Sequence, residues 1–224
     1  MSERPLAVVV GATGFLGSAV VEQFVEKGWG VDRTWLDEGR PDVRSTSAFE
    51  SLPPQFEAGI YCAGINQVKD LSDLSYADWD EVLDVNLSAA FRFAQRASAS
   101  LSDGGTLVFI GSIMATHPYP GRVPYAAAKA GVEGLGRALS VELGGRGIRV
   151  HVLRLGHLPG LMKSTKVGQD LLTRVVETSA LNSTLDPSGV ASFVSWLCSD
   201  SARTFTSGVH ELDSGYVRNR WPLD

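Results

Sequence analysis

The stretch Leu6-Ala7-Val8-Val9-Val10-Gly11-Ala12-Thr13-Gly14-Phe15-Leu16-Gly17 decides the fold of this chain. Leu6 to Val10 is an apolar, largely β-branched run, the kind that a parallel sheet buries on both faces. From about 15 to 27 the pattern changes to a helix, with Leu16, Val20, Phe24 and Lys27 at helical spacing and Gly28 just past the end. A glycine pattern between a strand and a helix carries more meaning than the same pattern alone. Gly11 permits a tight turn, Gly14 lets the backbone approach a pyrophosphate, and Gly17 lets the helix pack closely on the sheet. Unpaired N–H groups at the helix start offer donors and a partial positive charge to phosphates. Gly11, Thr13, Gly14, Phe15, Leu16 and Gly17 are therefore the candidate cradle of a dinucleotide.

Outward from this turn, strand-like and helix-like segments alternate. Further strands are predicted at 31–36, 59–62, 106–110, 148–153 and 209–212, and helices at 76–100, 123–144, 168–179 and 187–199. Such alternation implies right-handed crossovers and a Rossmann-like, doubly wound α/β fold, a parallel sheet with helices on both faces. No repeat or Pro/Ser-rich linker divides the chain, so 1–224 is expected to form one domain. Too few residues separate Leu36 from Asp42-Val43-Arg44 for a full helix, so the second crossover should be trimmed to a loop or a single turn.

Composition narrows the function. Across 224 residues, 20 Lys and Arg against 25 Asp and Glu give a net charge of −5, with the basic residues scattered. That leaves no electrostatic footprint for nucleic acid. No apolar run approaches the roughly 20 residues that span a bilayer. The first residues lack the basic and apolar parts of a secretory signal. Cys62 and Cys198 sit in apolar contexts, form no metal-ligand cluster and fit a reducing cytoplasm. A cytoplasmic protein without metal, membrane or nucleic-acid partners is expected.

A dinucleotide site commonly has an acidic residue near the end of the second strand, bonding the adenosine ribose. Asp37 lies about 20 positions beyond the turn, as that rule requires. Counting from Gly28 without gaps places Trp35 at the position instead, with Asp37 two residues on. Arg33 and Arg40 are near enough to meet a 2′-phosphate. The cofactor is thus NAD(H) or NADP(H), with NAD favoured.

The chemistry-bearing residues lie mid-chain. Ser112 follows the strand at 106–110, at a carboxyl end of the sheet, where open α/β sheets bind ligands. Tyr125 and Lys129, in Tyr-Ala-Ala-Ala-Lys, are one helical turn apart and share a face. A free phenol has a pKa of about 10, too high for proton exchange near neutrality. A fixed cation, Lys129 together with an oxidised nicotinamide, favours phenolate. Ser112 can then hold a substrate oxygen beside Tyr125.

With these residues the sequence resembles the short-chain dehydrogenase/reductase family, in a small-subunit form related to 3-oxoacyl reductases. The resemblance covers nearly the whole chain. After the glycine turn come Asp42-Val43, similar to the family's adenine-contacting pair, Cys62-Ala63-Gly64, similar to its Asn-Asn-Ala-Gly, and Asp84-Val85-Asn86-Leu87. Gly111-Ser112, Tyr125 with Lys129, Gly147-Ile148-Arg149-Val150, and Ser207-Gly208 leading to Asp213-Ser214-Gly215 complete the order. The resemblance implies a catalytic tetrad of Asn86, Ser112, Tyr125 and Lys129. Asn86 would kink its helix and hold a water that continues the proton path, and Lys129 would also contact the nicotinamide ribose. Cofactor contacts are implied at Asp42, Val43, Cys62, Ala63, Gly64, Gly156 and Leu158.

The pattern departs from the family in places. Val10 replaces a Thr, and the spacing of the glycines is closer to that of the larger-subunit members. Leu155 replaces a Pro, and Gly160 stands where a Thr often anchors the carboxamide, leaving Ser164 or Thr165 to supply a hydroxyl. His117 and His157 are expected to be walls of the cleft, and Trp79, Trp196 and Trp221 core or subunit contacts. The region 157–182, with Leu158, Leu161, Met162, Val167, Leu171 and Leu172, reads as a lid over a partly apolar substrate. The implied protein is a homodimeric or homotetrameric NAD(P)-dependent oxidoreductase acting on a small carbonyl or alcohol compound. The alternatives are a silent nucleotide-binding module and an epimerase or dehydratase that recycles its nucleotide.

Overall fold

The computed structural model describes residues 4–32, 35, 41–160 and 166–217. Six parallel strands run in the order β2-β1-β3-β4-β5-β6. They are β1 (Leu6–Val10), β2 (Gly30–Val31), β3 (Phe56–Tyr61), β4 (Leu101–Ser112), β5 (Arg149–Leu155) and β6 (Gly208–Leu212). The helices are α1 (Phe15–Glu26), α2 (Tyr76–Leu83), α3 (Ala89–Ser100), α4 (Val123–Leu143), α5 (Lys166–Thr178) and α6 (Pro187–Leu197). Chain order reverses at β1, whose neighbours β2 and β3 lie on opposite sides. A crevice therefore opens at the carboxyl ends of β1 and β3.

Ala7, Val8, Val9 and Val10 are fully buried, as their β-branched run predicts. Helix α1 packs with α6, and α3 and α4 lie against the strands from β3 to β5. Local chemistry sets the helix starts. Ser75 and Asp78 form a reciprocal capping box ahead of α2. Asp186 caps α6, with Pro187 at its first position.

Two expectations are corrected. The second strand is only Gly30–Val31, not 31–36. Asp32 still donates to Ala7 O at 2.8 Å, but Trp35 turns into the core, 1% exposed and stacked on Phe49 at 5.3 Å. Burying that indole ends the extended run. β4 begins at Leu101, five residues early, because an irregularity between Phe56 and Ala58 lets Leu101 pair before the regular register starts at Thr106. The trimmed second crossover is present, since residues 41–55 form turns with no helix or strand.

Candidate active site

The glycine turn is built by close approach. Gly11 has φ of +81°, and a Cβ there would lie 2.7 Å from Ala63 N, which follows β3 across the crevice. A Cβ on Gly17 would sit 2.1 Å from Gly11 O, so only glycine lets α1 start this near the strand. Leu16 and Gly17 are buried, whereas Thr13, Gly14 and Phe15 face outward. The N-cap, Gly14, offers no side-chain bond. The first N–H groups of α1 are left for a phosphate, and the cradle fits the pyrophosphate of a dinucleotide.

Asp37, Arg33, Arg40, Leu161, Met162, Ser164, Thr165 and Trp221 lie outside the described residues. Asp42 is exposed and held by Arg44 at 2.6 Å, which keeps its carboxyl below the usual range. Val43 O accepts from Arg92, whose guanidinium also meets Asp84 at 2.8 Å. Cys62 and Ala63 are half-buried and Gly64 exposed at the crevice.

Between α2 and α3 the helix widens into a π-helical turn, Asp84–Ser88, with Asn86 inside it. Such turns release backbone carbonyls from the regular ladder. Asn86 Nδ2 donates to Val82 O at 2.9 Å and to Ile65 O at 2.8 Å. Tyr61 Oη donates to Val85 O at 2.7 Å. The Asn86 side chain thus fastens the widened turn to the loop after β3. Its Oδ1 is buried and without a partner.

Ser112 ends β4, and its Oγ accepts from Met114 N at 3.2 Å. Lys129, 4% exposed, donates from Nζ to Ile110 O at 2.8 Å and lies 5.5 Å from the centroid of the Tyr125 ring. Lys129 Nζ and Asn86 Oδ1 both border Gly64, 3.6 and 2.8 Å from where its Cβ would stand. Residues from β4, α4, the π-helical turn and the loop after β3 thus meet at the carboxyl end of the sheet. Burial draws the Lys129 ammonium down to about 8, opposed by Cys62, and pushes the Cys62 thiol up to about 12. Burial also raises the Tyr125 phenol, against the hydroxyl of Ser112 and the charge of Arg122, which favour phenolate.

Sequence reasoning missed Arg122 and two tyrosines. Arg122 is the N-cap of α4, half-buried, and its side chain makes no hydrogen bond or ion pair with the described residues. Its signal was its place three residues before Tyr125. Tyr119 Oη meets Tyr216 Oη at 2.5 Å and His157 Nε2 at 3.3 Å. The His157 ring is buried, stacked on Tyr119 and edge-on to Tyr216. The loop after Ser112, the loop after β5 and the segment after β6 are joined there. His117 stays apart, bonded to Thr116 Oγ1 at 2.9 Å.

After β5, Gly156 N donates to Leu212 O at 2.8 Å, and Leu158 packs on the core. Pro159, Leu172, Thr173, Val176, Glu177 and Thr184 line a cavity of about 520 Å³ between this loop and α5. Among the described residues no group of three His, Cys, Asp or Glu could hold a metal. No described helix is long and apolar enough to cross a membrane.

Residues 44–217 match the family described as enoyl-(acyl carrier protein) reductase. A (3R)-3-hydroxyacyl-CoA dehydrogenase of Canis lupus familiaris is 30% identical, over 94% of this chain and 95% of that protein. The 3-oxoacyl-[acyl-carrier-protein] reductase MabA of Mycobacterium bovis is 27% identical, over 93% and 91%. Among solved structures, a blue fluorescent protein from a metagenomic library, in complex with NADPH, superposes with a TM-score of 0.82. It is 24% identical and covers 95% of this chain and 97% of that one.

Proposed function

Because the chain belongs to the short-chain dehydrogenase/reductase family, whose members are NAD(P)-dependent oxidoreductases, we propose that Tyr125 is its general acid and base. The reaction interconverts a carbonyl and a secondary alcohol on a small, partly apolar molecule. The observation that carries this is the meeting of Ser112, Tyr125 and Lys129 at the carboxyl end of β4, beside Asn86.

In the reductive direction the Ser112 hydroxyl donates to the carbonyl oxygen and holds it beside Tyr125. The phenol gives that oxygen its proton as negative charge develops there. The Lys129 ammonium and a water held near Asn86 return a proton to the phenolate. The nicotinamide, when bound, supplies the hydride to the carbonyl carbon. The turn at Gly11 to Gly17 would hold the pyrophosphate, with Ala63, Gly64, Gly156 and Leu158 lining the dinucleotide and Asp42-Val43 at its adenine end. NAD(H) is the favoured cofactor, on the position of Asp37 in the sequence.

The names of the relatives point to 3-oxoacyl and 3-hydroxyacyl thioesters, and the apolar side of the cavity beneath α5 suits such a chain. A cytoplasmic location fits the two free cysteines, and a homodimer or homotetramer fits the family. The test is Tyr125→Phe with a 3-oxoacyl thioester and each reduced nicotinamide. Turnover should fall at least about 100-fold with cofactor affinity nearly unchanged. Unchanged turnover would remove Tyr125 from the reaction.

A further inference from the structure

Three segments that follow the carboxyl ends of β4, β5 and β6 are joined by one cluster of rings. Tyr119 comes from the loop that leads into α4, His157 from the loop after β5 and Tyr216 from the turn after β6. Tyr119 Oη bonds Tyr216 Oη at 2.5 Å and lies 3.3 Å from His157 Nε2. The imidazole stacks on Tyr119, with ring centroids 5.8 Å apart, and stands edge-on to Tyr216 at 4.9 Å.

Packing alone does not account for the histidine. Its ring is 8% exposed, and Nδ1 has no partner among the described residues. A buried nitrogen left unpaired is costly, and a phenyl ring would fill the same space without that cost. What the imidazole adds is Nε2, which reaches Tyr119. Local conflicts of this kind gather where function overrides stability. Burial and Tyr216 raise the Tyr119 phenol, so it stays protonated and does not rival Tyr125 as acid and base.

The rings also rest on segments that reach the site from both sides. Asp213 anchors the turn of Tyr216, its carboxylate accepting from Gly215 N at 2.8 Å and Val217 N at 2.7 Å. That turn lies directly on the loop after β5, since a Cβ on Gly156 would stand 2.8 Å from Asp213 Cα. Further along the same loop, Gly160 touches Phe15 of the glycine turn. On the other side, Tyr119 precedes Tyr125 within Tyr119-Pro120-Gly121-Arg122-Val123-Pro124-Tyr125. A contiguous series of contacts therefore runs from the glycine turn, through the loop after β5 and His157, to Tyr119 and the start of α4.

We propose that Tyr119 is a positioning residue that couples the cofactor to the substrate side of the site. Tied to His157 and Tyr216, it orders the loop into Tyr125 when a dinucleotide orders the loop after β5. The inference rests on the reading of Gly156 and Leu158 as cofactor contacts.

The test is amide hydrogen exchange of the full chain, alone and saturated with NADH or NADPH. Cofactor should slow exchange in residues 156–160 and, by about five-fold or more, in 116–122. Tyr119→Phe loses both hydroxyl contacts and keeps the ring. In that variant the slowing should persist in 156–160 and vanish in 116–122. Tyr216→Phe gives the same comparison should the first variant not fold. With a 3-oxoacyl thioester, either variant should raise KM several-fold while kcat and cofactor affinity stay near wild type. A bond that serves stability alone would speed exchange equally with and without cofactor and leave KM unchanged, and that result overturns the proposal. A wild-type segment 116–122 indifferent to cofactor overturns it as well. No slowing in any segment with either nucleotide would count against the dinucleotide reading itself, and the proposal would fall with it.

Discussion

The ring of Phe15 occupies the space where a side chain on Gly160 would begin: a Cβ there would lie 2.5 Å from Phe15 Cγ and 2.6 Å from both Cδ atoms. The glycine turn and the loop after β5 therefore touch across the mouth of the dinucleotide crevice. The threonine often found at this position in the family would require this exposed ring to move. Gly160→Thr alone should push Phe15 aside and weaken nicotinamide binding several-fold, by titration of the reduced cofactor's fluorescence. Phe15→Ala combined with Gly160→Thr should recover that loss. Additive losses in the double variant would show that the two positions do not compete for one space.

Asn86 is expected to matter first for the shape of its helix. Its amide satisfies two backbone carbonyls, Val82 O and Ile65 O, and both would lose that donor in Asn86→Leu. Leaving such acceptors unpaired costs about 1–3 kcal/mol each. Asn86→Leu should therefore lower stability by roughly 2–6 kcal/mol in urea unfolding and reduce turnover as well. Asn86→Asp, which cannot donate when ionised, should behave like the leucine variant rather than like wild type.

The Gly11–Gly17 turn, the parallel sheet and the short second crossover were legible in the sequence because each rests on local pattern: a β-branched run, a helical period, a glycine spacing. The end of β2 was not, because whether Trp35 continues a strand or turns inward depends on Phe49, which stacks on it from a distant part of the chain. The four residues proposed as a tetrad could be picked out from their order, but not their bonds. Lys129 reaches Ile110 O, and Asn86 reaches Ile65 O, only once the sheet has brought those carbonyls near. Tyr119, His157 and Tyr216 come from three separate loops and leave no periodic trace. Arg122 was overlooked for a different reason: its place three residues before Tyr125 is visible in the sequence, but its half-burial at the start of α4 is not.

Burial of Lys129 should also appear in stability. Its ionisation falls to about 8 in the folded chain, below the ordinary lysine value of 10.5. Between those values the unfolded chain binds more protons, so this residue's contribution to stability rises with pH across that window. Below about pH 8 the full cost of burying the charge is present. Lys129→Met should therefore be more stable than wild type at pH 7 by about 2 kcal/mol, allowing for the lost bond to Ile110 O. The advantage should shrink as pH climbs toward 10. Urea unfolding at pH 7 and pH 9.5 checks this, and a gap independent of pH would exclude the linkage. Activity should be lost in the same variant.

His151 predicts the opposite limb. Its ring is fully buried on β5, with Nδ1 3.1 Å from His210 Nε2 on β6 and its own Nε2 unpartnered. Burial, with the nearby His210 and Arg149, draws the imidazole down to about 3 from an ordinary 6.5. It stays neutral in the folded chain while the unfolded chain takes up a proton below about pH 6.5. Stability is therefore unaffected by this group above that pH and falls progressively as pH drops toward 3, by up to about 4 kcal/mol. Arg149, which donates to Leu197 O, holds the β5 end of this cluster in place. Phe193 closes it from α6, edge-on to the His210 ring at 5.6 Å. His151→Leu should flatten the acid limb, so that the loss between pH 7 and pH 5 in urea unfolding is clearly smaller than in wild type. If both proteins weaken equally over that interval, the acid sensitivity belongs to other groups and His151 is a packing residue alone.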